Sequence, residues 1–423
     1  LQQLGRWEGA ARCFRKLLTR RPDHANAAAC LALILAIKRD FAEAREWSTR
    51  VLARDRAHPI AAIALAMAEM DAEDFAGAEE RLRDLLENPA RTGEQGTAFA
   101  AGFAADAFDR HGCYREAFGV SRASKAMLRD LWSVQFEAKR MFDVARELAG
   151  YFSRAKPWSA AVHPAPSAEA PATHIFVLGF LRSGTTLIET ILATNPQVVH
   201  ADEIDFLNGA AHAFLIASAG LDRLAALDES EIAAWRETYW KAVRDAKFSV
   251  GGKIFVDKMP INTFRLPLIA RLFPSAKIVF ALRDPRDVVL GCFRRHFDPT
   301  YYSFEFLRLG DCARFYGATM ALADVCREKL PLAILEHRYE DMVADFETSV
   351  RALCNFTGLA WSGAMRDFRQ AAGAIDLRSA SARQVRRGVY PDAVGHWRHY
   401  REQLAPVLPI LAPWGARFGY PAE

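Results

Sequence analysis

Residues 174–189 read His-Ile-Phe-Val-Leu-Gly-Phe-Leu-Arg-Ser-Gly-Thr-Thr-Leu-Ile-Glu, and this stretch decides the fold of the C-terminal two-thirds of the chain. The apolar run 175–178 predicts a buried parallel strand, and the apolar residues from Leu187 onward predict a helix. Between them lies a glycine-bounded turn that carries one fixed positive charge, Arg182. A strand, such a turn and a helix N-terminus together predict an anion site, because backbone N–H groups and the helix dipole point at one place. Three hydroxyl groups add neutral donors: Ser183, Thr185 and Thr186.

The spacing of the two glycines in this turn matches the Walker A phosphate loop. Gly179 and Gly184 are separated by four residues, but Thr185 follows where the Walker motif requires lysine. A nucleoside triphosphatase uses that lysine and a magnesium-binding hydroxyl to handle the β- and γ-phosphates. Here the positive charge sits earlier, on Arg182, so the sequence argues against a kinase or nucleoside triphosphatase.

The segment Phe-Leu-Arg-Ser-Gly-Thr-Thr-Leu, residues 180–187, closely resembles the 5′-phosphosulfate-binding loop of sulfotransferases. These enzymes use 3′-phosphoadenosine 5′-phosphosulfate (PAPS) as the donor and release adenosine 3′,5′-bisphosphate (PAP). The resemblance implies a set of residues that bind the phosphosulfate part of the donor: Arg182, Ser183, Gly184, Thr185 and Thr186.

The composition is that of an ordinary globular protein, with 423 residues, 51% of them hydrophobic and 25% charged. This length favours two domains, and the net charge of +4 is too small to indicate a nucleic-acid partner. The seven cysteines are scattered without a CxxC pair, which predicts reduced core residues and a cytoplasmic protein. No apolar run is long enough to span a membrane. The chain begins with Leu1 rather than methionine, so we expect its N-terminus to be incomplete.

A 34-residue period runs through the N-terminal third, in Trp7, Phe41 and Phe75. This is the period of the tetratricopeptide repeat (TPR). A fourth copy through Tyr114 is displaced by five residues, which we attribute to an insertion between helices at residues 88–97. Small and bulky residues keep the same period, at Ala10, Ala44 and Ala78 and at Leu17, Val51 and Leu85. Residues 1–150 therefore predict a TPR α-solenoid, whose concave face would hold a peptide or another protein.

Residues 151–172 predict a linker, and residues 173–423 alternate strand and helix. Candidate strands after the first are residues 253–257, 276–282 and 332–336, with amphipathic helices between them, which predicts a parallel α/β sheet covered on both faces. Residues 210–250 predict a helical segment, for which a lid and a substrate-facing insertion are both open. Ligands of such sheets bind at the carboxyl ends of the strands. The candidate residues fall there: Arg182, Asp257, Lys258, Arg283 and His337–Tyr339.

Arg283 follows the third of these strands and precedes a proline-initiated helix, in the segment Arg-Asp-Pro-Arg-Asp-Val-Val. An arginine placed there suits a phosphate through its two-pronged guanidinium. For Arg286 an ion pair with a neighbouring aspartate is an equal alternative. The segment is similar to the sulfotransferase 3′-phosphate motif, in which the leading arginine and a serine eight residues later bind the phosphate. Gly291 occupies the serine position, so the resemblance implies one missing hydroxyl donor, worth about 1–2 kcal/mol.

Helical repeats followed by these motifs resemble bacterial repeat-containing sulfotransferases related to tyrosylprotein sulfotransferases. The resemblance implies three catalytic residues: Arg182 contacts the transferring group, Glu203 is the base, and Lys258 contacts the bridging oxygen. Asp202 precedes Glu203 in the family's acidic pair, and a helix N-cap is the alternative for Asp202. The sequence shows no metal-ligand cluster, and no metal is expected.

The same resemblance implies nucleotide contacts beyond the loop. Tyr339 matches a nucleotide-contacting tyrosine, and residues 381–390 resemble a late segment that closes over the nucleotide. The candidates in that segment are Ser381 and Arg386 or Arg387, and Gly388 stands where the relatives usually have proline. Trp397 is expected to be a packing residue.

Together these patterns predict a TPR α-solenoid followed by a P-loop-like α/β sulfotransferase domain that uses PAPS. The predicted acceptor is a hydroxyl, with tyrosine in a protein first and a carbohydrate or small phenol next. Two alternatives remain open: a P-loop kinase or nucleoside triphosphatase, and a TPR scaffold with an inactive sulfotransferase domain. Gly291 and Gly388 support the second alternative. The oligomeric state is not indicated by the sequence.

Overall fold

The computed structural model describes residues 7–87, 93–159, 170–215, 218–369 and 393–422. The chain divides into two compact units, which we call the helical unit and the sheet unit. The helical unit comprises Leu1–Ala138, Phe293–Arg308 and His399–Gln403, and the sheet unit comprises the remainder, Lys139–Cys292, Leu309–Arg398 and Leu404–Glu423.

This division differs from the predicted domain boundaries. Helix Met141–Arg154 extends past the predicted boundary at residue 150 and belongs to the sheet unit, because it packs on helix Leu309–Lys329. Segment Phe293–Arg308 belongs to the helical unit although it lies in the C-terminal half of the sequence. Long-range packing of this kind cannot be inferred from periodicity within one segment.

The helical unit contains consecutive helices that pack on their neighbours in sequence. Phe41, Phe75 and Tyr114 each begin a helix, and Trp7 is the first described residue of α1, so the sequence period is consistent with a helical solenoid. The helices before residue 139 are α1 (Trp7–Arg20), α2 (Ala25–Lys38), α3 (Phe41–Leu52), α4 (Pro59–Asp71), α5 (Phe75–Glu87), α6 (Gly93–Arg110) and α7 (Tyr114–Phe136). Neighbour-to-neighbour packing of helices is the arrangement expected of a helical solenoid.

Burial explains why small residues recur every 34 positions in the helical unit. Ala44 and Ala78 are fully buried, so they let adjacent helices approach closely. Helices α2 and α4 bury residues on all sides, including the charged Glu69 of α4, whereas α3 buries one face only. The predicted insertion at residues 88–97 is wrong in part, because residues 93–97 lie within α6; residues 88–92 are outside the described residues.

The sheet unit is built on five parallel strands in the order β2-β3-β1-β4-β5. They are β1 (Thr173–Gly179), β2 (Val198–Asp202), β3 (Ile254–Lys258), β4 (Lys277–Leu282) and β5 (Ala333–Arg338). The parallel sheet and the four predicted strands are confirmed, with shifts of one or two residues at most ends. Strand β2 was not predicted, because it is a five-residue strand at the sheet edge with only two buried residues.

Helices pack on both faces of this sheet. The helices of the sheet unit are α8 (Met141–Arg154), α9 (Thr185–Ala193), α10 (Asn208–Phe214), α11 (Ser218–Ala226), α12 (Glu229–Asp245), α13 (Leu266–Leu272), α14 (Pro285–Arg294), α16 (Leu309–Lys329), α17 (Tyr339–Ala344), α18 (Phe346–Thr357) and α20 (Leu408–Arg417). The short α15 (Tyr301–Phe304) and residues 401–403 of α19 (Arg401–Leu404) are assigned to the helical unit. Alternate residues of β1 face opposite sides: Ile175 and Val177 join a core with α9 and α18, and Phe176 packs against Tyr239 of α12. The predicted helical insertion at residues 210–250 is confirmed as helical.

All seven cysteines are free, and four of them are buried: Cys292, Cys312, Cys326 and Cys354. Cys13 is exposed, which differs from the core position expected for it. Among the helices of the described ranges, none has both the length and the apolar character needed to cross a membrane.

Candidate active site

The turn after β1 is shaped by its two glycines. Gly179 has φ 151°, and a Cβ atom there would lie 2.5 Å from the carbonyl oxygen of Ala281 in β4. Glycine therefore permits the close approach of the two strands where the turn begins. Gly184 has φ 100° and occupies the N-cap of α9, which receives no side-chain capping hydrogen bond.

The start of α9 fits an anionic group. The first N–H groups of a helix have no acceptor within the helix, and here the N-cap residue provides no side chain to satisfy them. Ser183, Thr185 and Thr186 are all buried at this helix end, and the Ser183 hydroxyl donates to the carbonyl of Phe180 at 2.6 Å. The structure thus brings the predicted loop residues together around one helix N-terminus. The turn follows the carboxyl end of β1. In the sheet, β3 and β4 lie on opposite sides of β1, so the strand order changes direction at β1. Ligands of open α/β sheets bind at such a switch point.

Lys258 and Glu203 meet beside this turn, at the ends of neighbouring strands. Lys258 is the last residue of β3, where it pairs in register with Val177 of β1 and with Asp202 of β2. The backbone N–H of Glu203 donates to the carbonyl of Lys258 at 2.9 Å, and Glu203 itself adopts a left-handed φ of 53°. The Lys258 ammonium donates to Glu203 Oε1 at 2.8 Å. The predicted base and the predicted catalytic lysine therefore form an ion pair.

Three carboxylates surround the Lys258 ammonium. Besides Glu203, it contacts Asp202 Oδ1, and Glu189 Oε2 lies 3.6 Å away. Burial alone would lower the pKa of Lys258, but Glu189, Glu203 and Asp202 together raise it above its ordinary value, so the group is charged. Lys258 and Glu189 are fully buried, whereas the Glu203 side chain is 36% exposed. Glu203 is thus the member of the cluster that solvent or an acceptor can reach.

Two other acidic residues lie near the carboxyl ends of β2 and β3. The N-cap that the sequence left open as the alternative for Asp202 is not observed, because Asp202 ends a strand and contacts the Lys258 ammonium. Asp257 does not join the Lys258 cluster, because successive strand residues face opposite sides of the sheet. Tyr239 instead donates a hydrogen bond to Asp257 at 2.7 Å, and burial raises the pKa of Asp257 to about 7.

Arg283 lies on the other side of the turn, after β4. Its guanidinium donates to the carbonyl of Arg182 at 3.5 Å and to that of Ala393 at 2.5 Å, and it stacks 5.0 Å from the ring centroid of Tyr339. A Cβ atom on Gly184 would lie 3.2 Å from the same ring. The structure therefore brings the two predicted nucleotide contacts, Arg283 and Tyr339, to the N-terminus of α9.

Arg286 forms an ion pair with a neighbouring aspartate, the alternative to phosphate binding that the sequence left open. It forms a two-pronged ion pair with Asp284, with N–O distances of 2.9 and 2.7 Å, and it stacks over the ring of Trp397 at 3.9 Å. Trp397 is buried, as expected of a packing residue. Its backbone N–H donates to Asp287 at 2.8 Å, so this cluster anchors the chain segment around Trp397 to the start of α14.

The remaining candidates divide into two groups. His337 lies in β5 and hydrogen-bonds to Ser349 of α18 at 3.0 Å, which makes it a packing residue rather than a ligand of the turn. Ser381, Arg386, Arg387 and Gly388 lie outside the described residues. Gly291 faces Arg182: a Cβ atom there would be 3.7 Å from Arg182 Cβ, an ordinary contact distance.

Sequence reasoning missed two residues of the Lys258 cluster, Glu189 and His200. His200 Nδ1 lies 2.8 Å from Glu189 Oε1. A signal for Glu189 exists in the sequence, because it is the one charged residue in the apolar run of α9 and would be costly to bury there without a partner. No comparable signal marks His200, which reaches the cluster through the unpredicted strand β2.

A parallel sheet with a glycine-bounded loop and helix N-terminus at its switch point defines the class of α/β domains that bind phosphate-like anions. Residues 174–363 match the family described as "Sulfotransferase family". The match includes all of β1 except its first residue, the whole of β2 to β5 and every residue of the Lys258 cluster. It supports sulfuryl transfer as the chemistry of this part of the chain.

Relatives among known proteins cover different parts of the chain. A protein of Aquifex aeolicus (strain VF5), named only "Uncharacterized protein", is 26% identical over 419 residues, which are 95% of this chain and 52% of that protein. The chain thus spans about half the length of that relative. Protein-tyrosine sulfotransferase 2 of Gallus gallus is 26% identical over 260 residues, 58% of this chain and 69% of that protein. The sulfotransferase Stf3 of Mycobacterium bovis, named for omega-hydroxy-beta-dihydromenaquinone-9, is 27% identical over 139 residues, 30% of this chain and 34% of that protein.

Among solved structures, the sulfotransferase domain of the Synechococcus PCC 7002 olefin synthase aligns with a TM-score of 0.40 and 22% sequence identity. The alignment covers 57% of this chain and 91% of that domain.

Proposed function

We propose that this protein transfers the sulfuryl group of PAPS to the hydroxyl group of an acceptor. One observation carries the proposal: the anion-binding turn at the switch point lies beside an ion pair of Lys258 and Glu203, which the ends of β3 and β2 present. Sulfuryl transfer needs cations near the transferring group and its leaving oxygen, a base near the incoming hydroxyl, and accurate positioning. These parts occur together here on rigid elements.

The donor would be held from three sides. Arg182, Ser183, Gly184, Thr185 and Thr186 would bind its phosphosulfate, as the helix N-terminus and the buried hydroxyls favour. Arg283 would bind the 3′-phosphate, with Tyr339 packed against both its guanidinium and Gly184. Ser381, Arg386 and Arg387 are proposed as further contacts on the grounds of sequence alone.

Bound PAPS would supply an activated sulfuryl group, and side chains of this protein would stabilise the developing charge and accept the proton of the acceptor. Glu203 accepts the proton of the acceptor hydroxyl while the hydroxyl oxygen forms its bond to sulfur. Lys258 donates to the bridging oxygen, which keeps the electron pair of the sulfur–oxygen bond that breaks. A carboxylate is a modest base for a phenol with a pKa of about 10, so Glu203 takes the proton during the transfer rather than before it.

Tyrosine in a protein is the first choice of acceptor. The relative from Gallus gallus carries that acceptor in its name, and a helical unit with the period of TPR motifs offers a surface suited to a protein or peptide. A carbohydrate or a small phenol is the second choice, and the name of the Mycobacterium bovis relative likewise gives a compound that is not a protein.

Calorimetry with PAP and with ATP tests the donor, and transfer assays with radiolabelled PAPS on tyrosine peptides, sugars and phenols test the acceptor. We expect PAP to bind more tightly than ATP. We expect Glu203→Gln to keep most PAP affinity but to lose turnover by about 100-fold or more, since general-base catalysis contributes about 10²–10⁴-fold. Glu237→Gln is the matched control, because Glu237 is an exposed residue of α12 paired with Arg244. Preferential binding of ATP would favour the kinase-like alternative, and PAP binding without any transfer would favour the inactive scaffold.

A further inference from the structure

Glu189 is a carboxylate in a buried part of a helix, where an unpaired charge is unfavourable. It lies in α9, one turn beyond the residues that form the anion site, among the buried apolar residues of that helix. Its side chain is fully buried. A buried carboxylate is unfavourable unless it is paired and hydrogen-bonded, and substitution by an apolar residue would remove that cost. A charge at this position therefore indicates a task beyond packing.

The two oxygens of Glu189 have different neighbours. Oε1 lies 2.8 Å from His200 Nδ1, and Oε2 lies 3.6 Å from the Lys258 ammonium. Burial raises the pKa of Glu189, while Lys258 and the hydrogen bond from His200 lower it. Glu189 thus links the helix of the anion site to the residue that ends β3, and His200 fixes its orientation from β2.

We propose that Glu189 and His200 are positioning residues for sulfuryl transfer, which hold the Lys258 ammonium at the end of β3 and leave Glu203 available to the acceptor. This inference rests on the proposed function. It adds two residues that contact neither donor nor acceptor and act through Lys258.

The geometry of the cluster supports this division of labour. Lys258 has three N–H groups and three carboxylate neighbours, and only Glu203 among these neighbours is substantially exposed. During transfer Lys258 must reach the bridging oxygen and Glu203 must reach the hydroxyl, so their mutual ion pair has to loosen. Asp202 and Glu189 remain beside the ammonium and keep its charge compensated in the buried site. Without Glu189, Lys258 would depend more strongly on Glu203 and would hold it back from the acceptor.

Two pairs of variants test the proposal. Glu189→Gln keeps the size of the side chain and an acceptor for His200 but removes the charge that faces Lys258. His200→Asn keeps an N–H donor near the position of Nδ1, and His200→Leu removes it. Glu237→Gln again serves as the control on the same unit. Each variant is assayed as the full chain for kcat, for KM of the acceptor and for PAP affinity by calorimetry.

We expect Glu189→Gln to lower kcat by about 10- to 100-fold, the range that a small misplacement of a catalytic group produces, with a smaller change in PAP affinity. His200→Leu should lose more turnover than His200→Asn, because the asparagine retains the donor. Turnover of Glu189→Gln equal to that of the control would overturn the proposal, as would a parallel loss of PAP affinity and kcat. Equal losses in the two His200 variants would overturn the role of His200. These outcomes differ from failure of the proposed function, which shows as absent transfer by the wild-type protein or as unchanged turnover in Glu203→Gln.

Discussion

Replacement of Lys258 by methionine would test the charge balance at the centre of the site. The substitution keeps a long, flexible side chain but removes the one ammonium among three carboxylates. Removing one partner of a buried ion pair costs about 3–5 kcal/mol, because it leaves an uncompensated charge. Glu189 and Asp202 are almost fully buried, whereas Glu203 is partly exposed and contributes little after solvent screening. We therefore expect the free energy of unfolding to fall by about 3–5 kcal/mol near neutral pH.

The loss of unfolding free energy in Lys258→Met should be larger at neutral pH than at acidic pH. Burial raises the pKa of Glu189, and Lys258 opposes that increase, so removal of Lys258 raises it further. A carboxyl group whose pKa is higher in the folded than in the unfolded state destabilises the fold above that pKa, and the penalty disappears as the pH falls through it. The raised pKa of Lys258 stabilises the fold equally at neutral and acidic pH, and this contribution is lost only as the pH rises into the alkaline range, so it adds no difference between these two conditions. The deficit of Lys258→Met relative to wild type should therefore shrink on acidification.

Urea denaturation of wild type and Lys258→Met at about pH 7.5 and about pH 5.5 measures this difference. The double variant Lys258→Met/Glu189→Gln is the internal control, because it removes one of the orphaned charges and should regain part of the stability. An equal deficit at both pH values, or a double variant no more stable than the single one, would show that the carboxylates around Lys258 are not coupled to it as the distances indicate.

Two further predictions concern glycines of the site. Gly291→Ser should tighten PAP binding by about fivefold, or about 1 kcal/mol, because it restores the hydroxyl donor that the 3′-phosphate motif beginning at Arg283 lacks. Calorimetry measures this, with Gly291→Ala as the control for helix propensity, and equal affinities in the two variants would contradict it. Gly179→Ala should lower the free energy of unfolding by about 1–3 kcal/mol and weaken PAP binding. The reason is that the alanine Cβ would lie 2.5 Å from the carbonyl oxygen of Ala281, and the φ of this residue is unfavourable for alanine. A variant whose thermal unfolding matches that of wild type would contradict this prediction.

The parts of the fold that follow local rules could be predicted from the sequence. Continuous apolar runs indicated β1 and β4, and the two glycines with Thr185 indicated the helix that starts after the turn. The period of 34 residues located helix starts at Phe41 and Phe75 because each repeat carries the same packing residues. In these places a single segment contains the information that determines its own structure.

The parts that depend on contacts between distant segments could not be predicted. Strand β2 exists because β3 offers it a partner, and its own residues are too few and too polar to reveal it. Glu189 and His200 become neighbours only through that strand, so the cluster around Lys258 was recognised in part. The resemblance to sulfotransferases predicts Lys258 and Glu203 in one site. The structure shows in addition that they form an ion pair and that Lys258 is fully buried.

The pairing of β1 has a consequence for biosynthesis. Its two neighbours lie far downstream, since Thr173 pairs with Ile254 and Ile175 pairs with Lys277. At about 5–20 residues per second, the ribosome needs several seconds to deliver both partners after β1 emerges. During that interval a strongly apolar strand has two unsatisfied edges, the condition under which nascent chains associate with one another. Yield in a recombinant host should therefore depend on translation speed and chaperone supply more than on the equilibrium stability of the finished sheet.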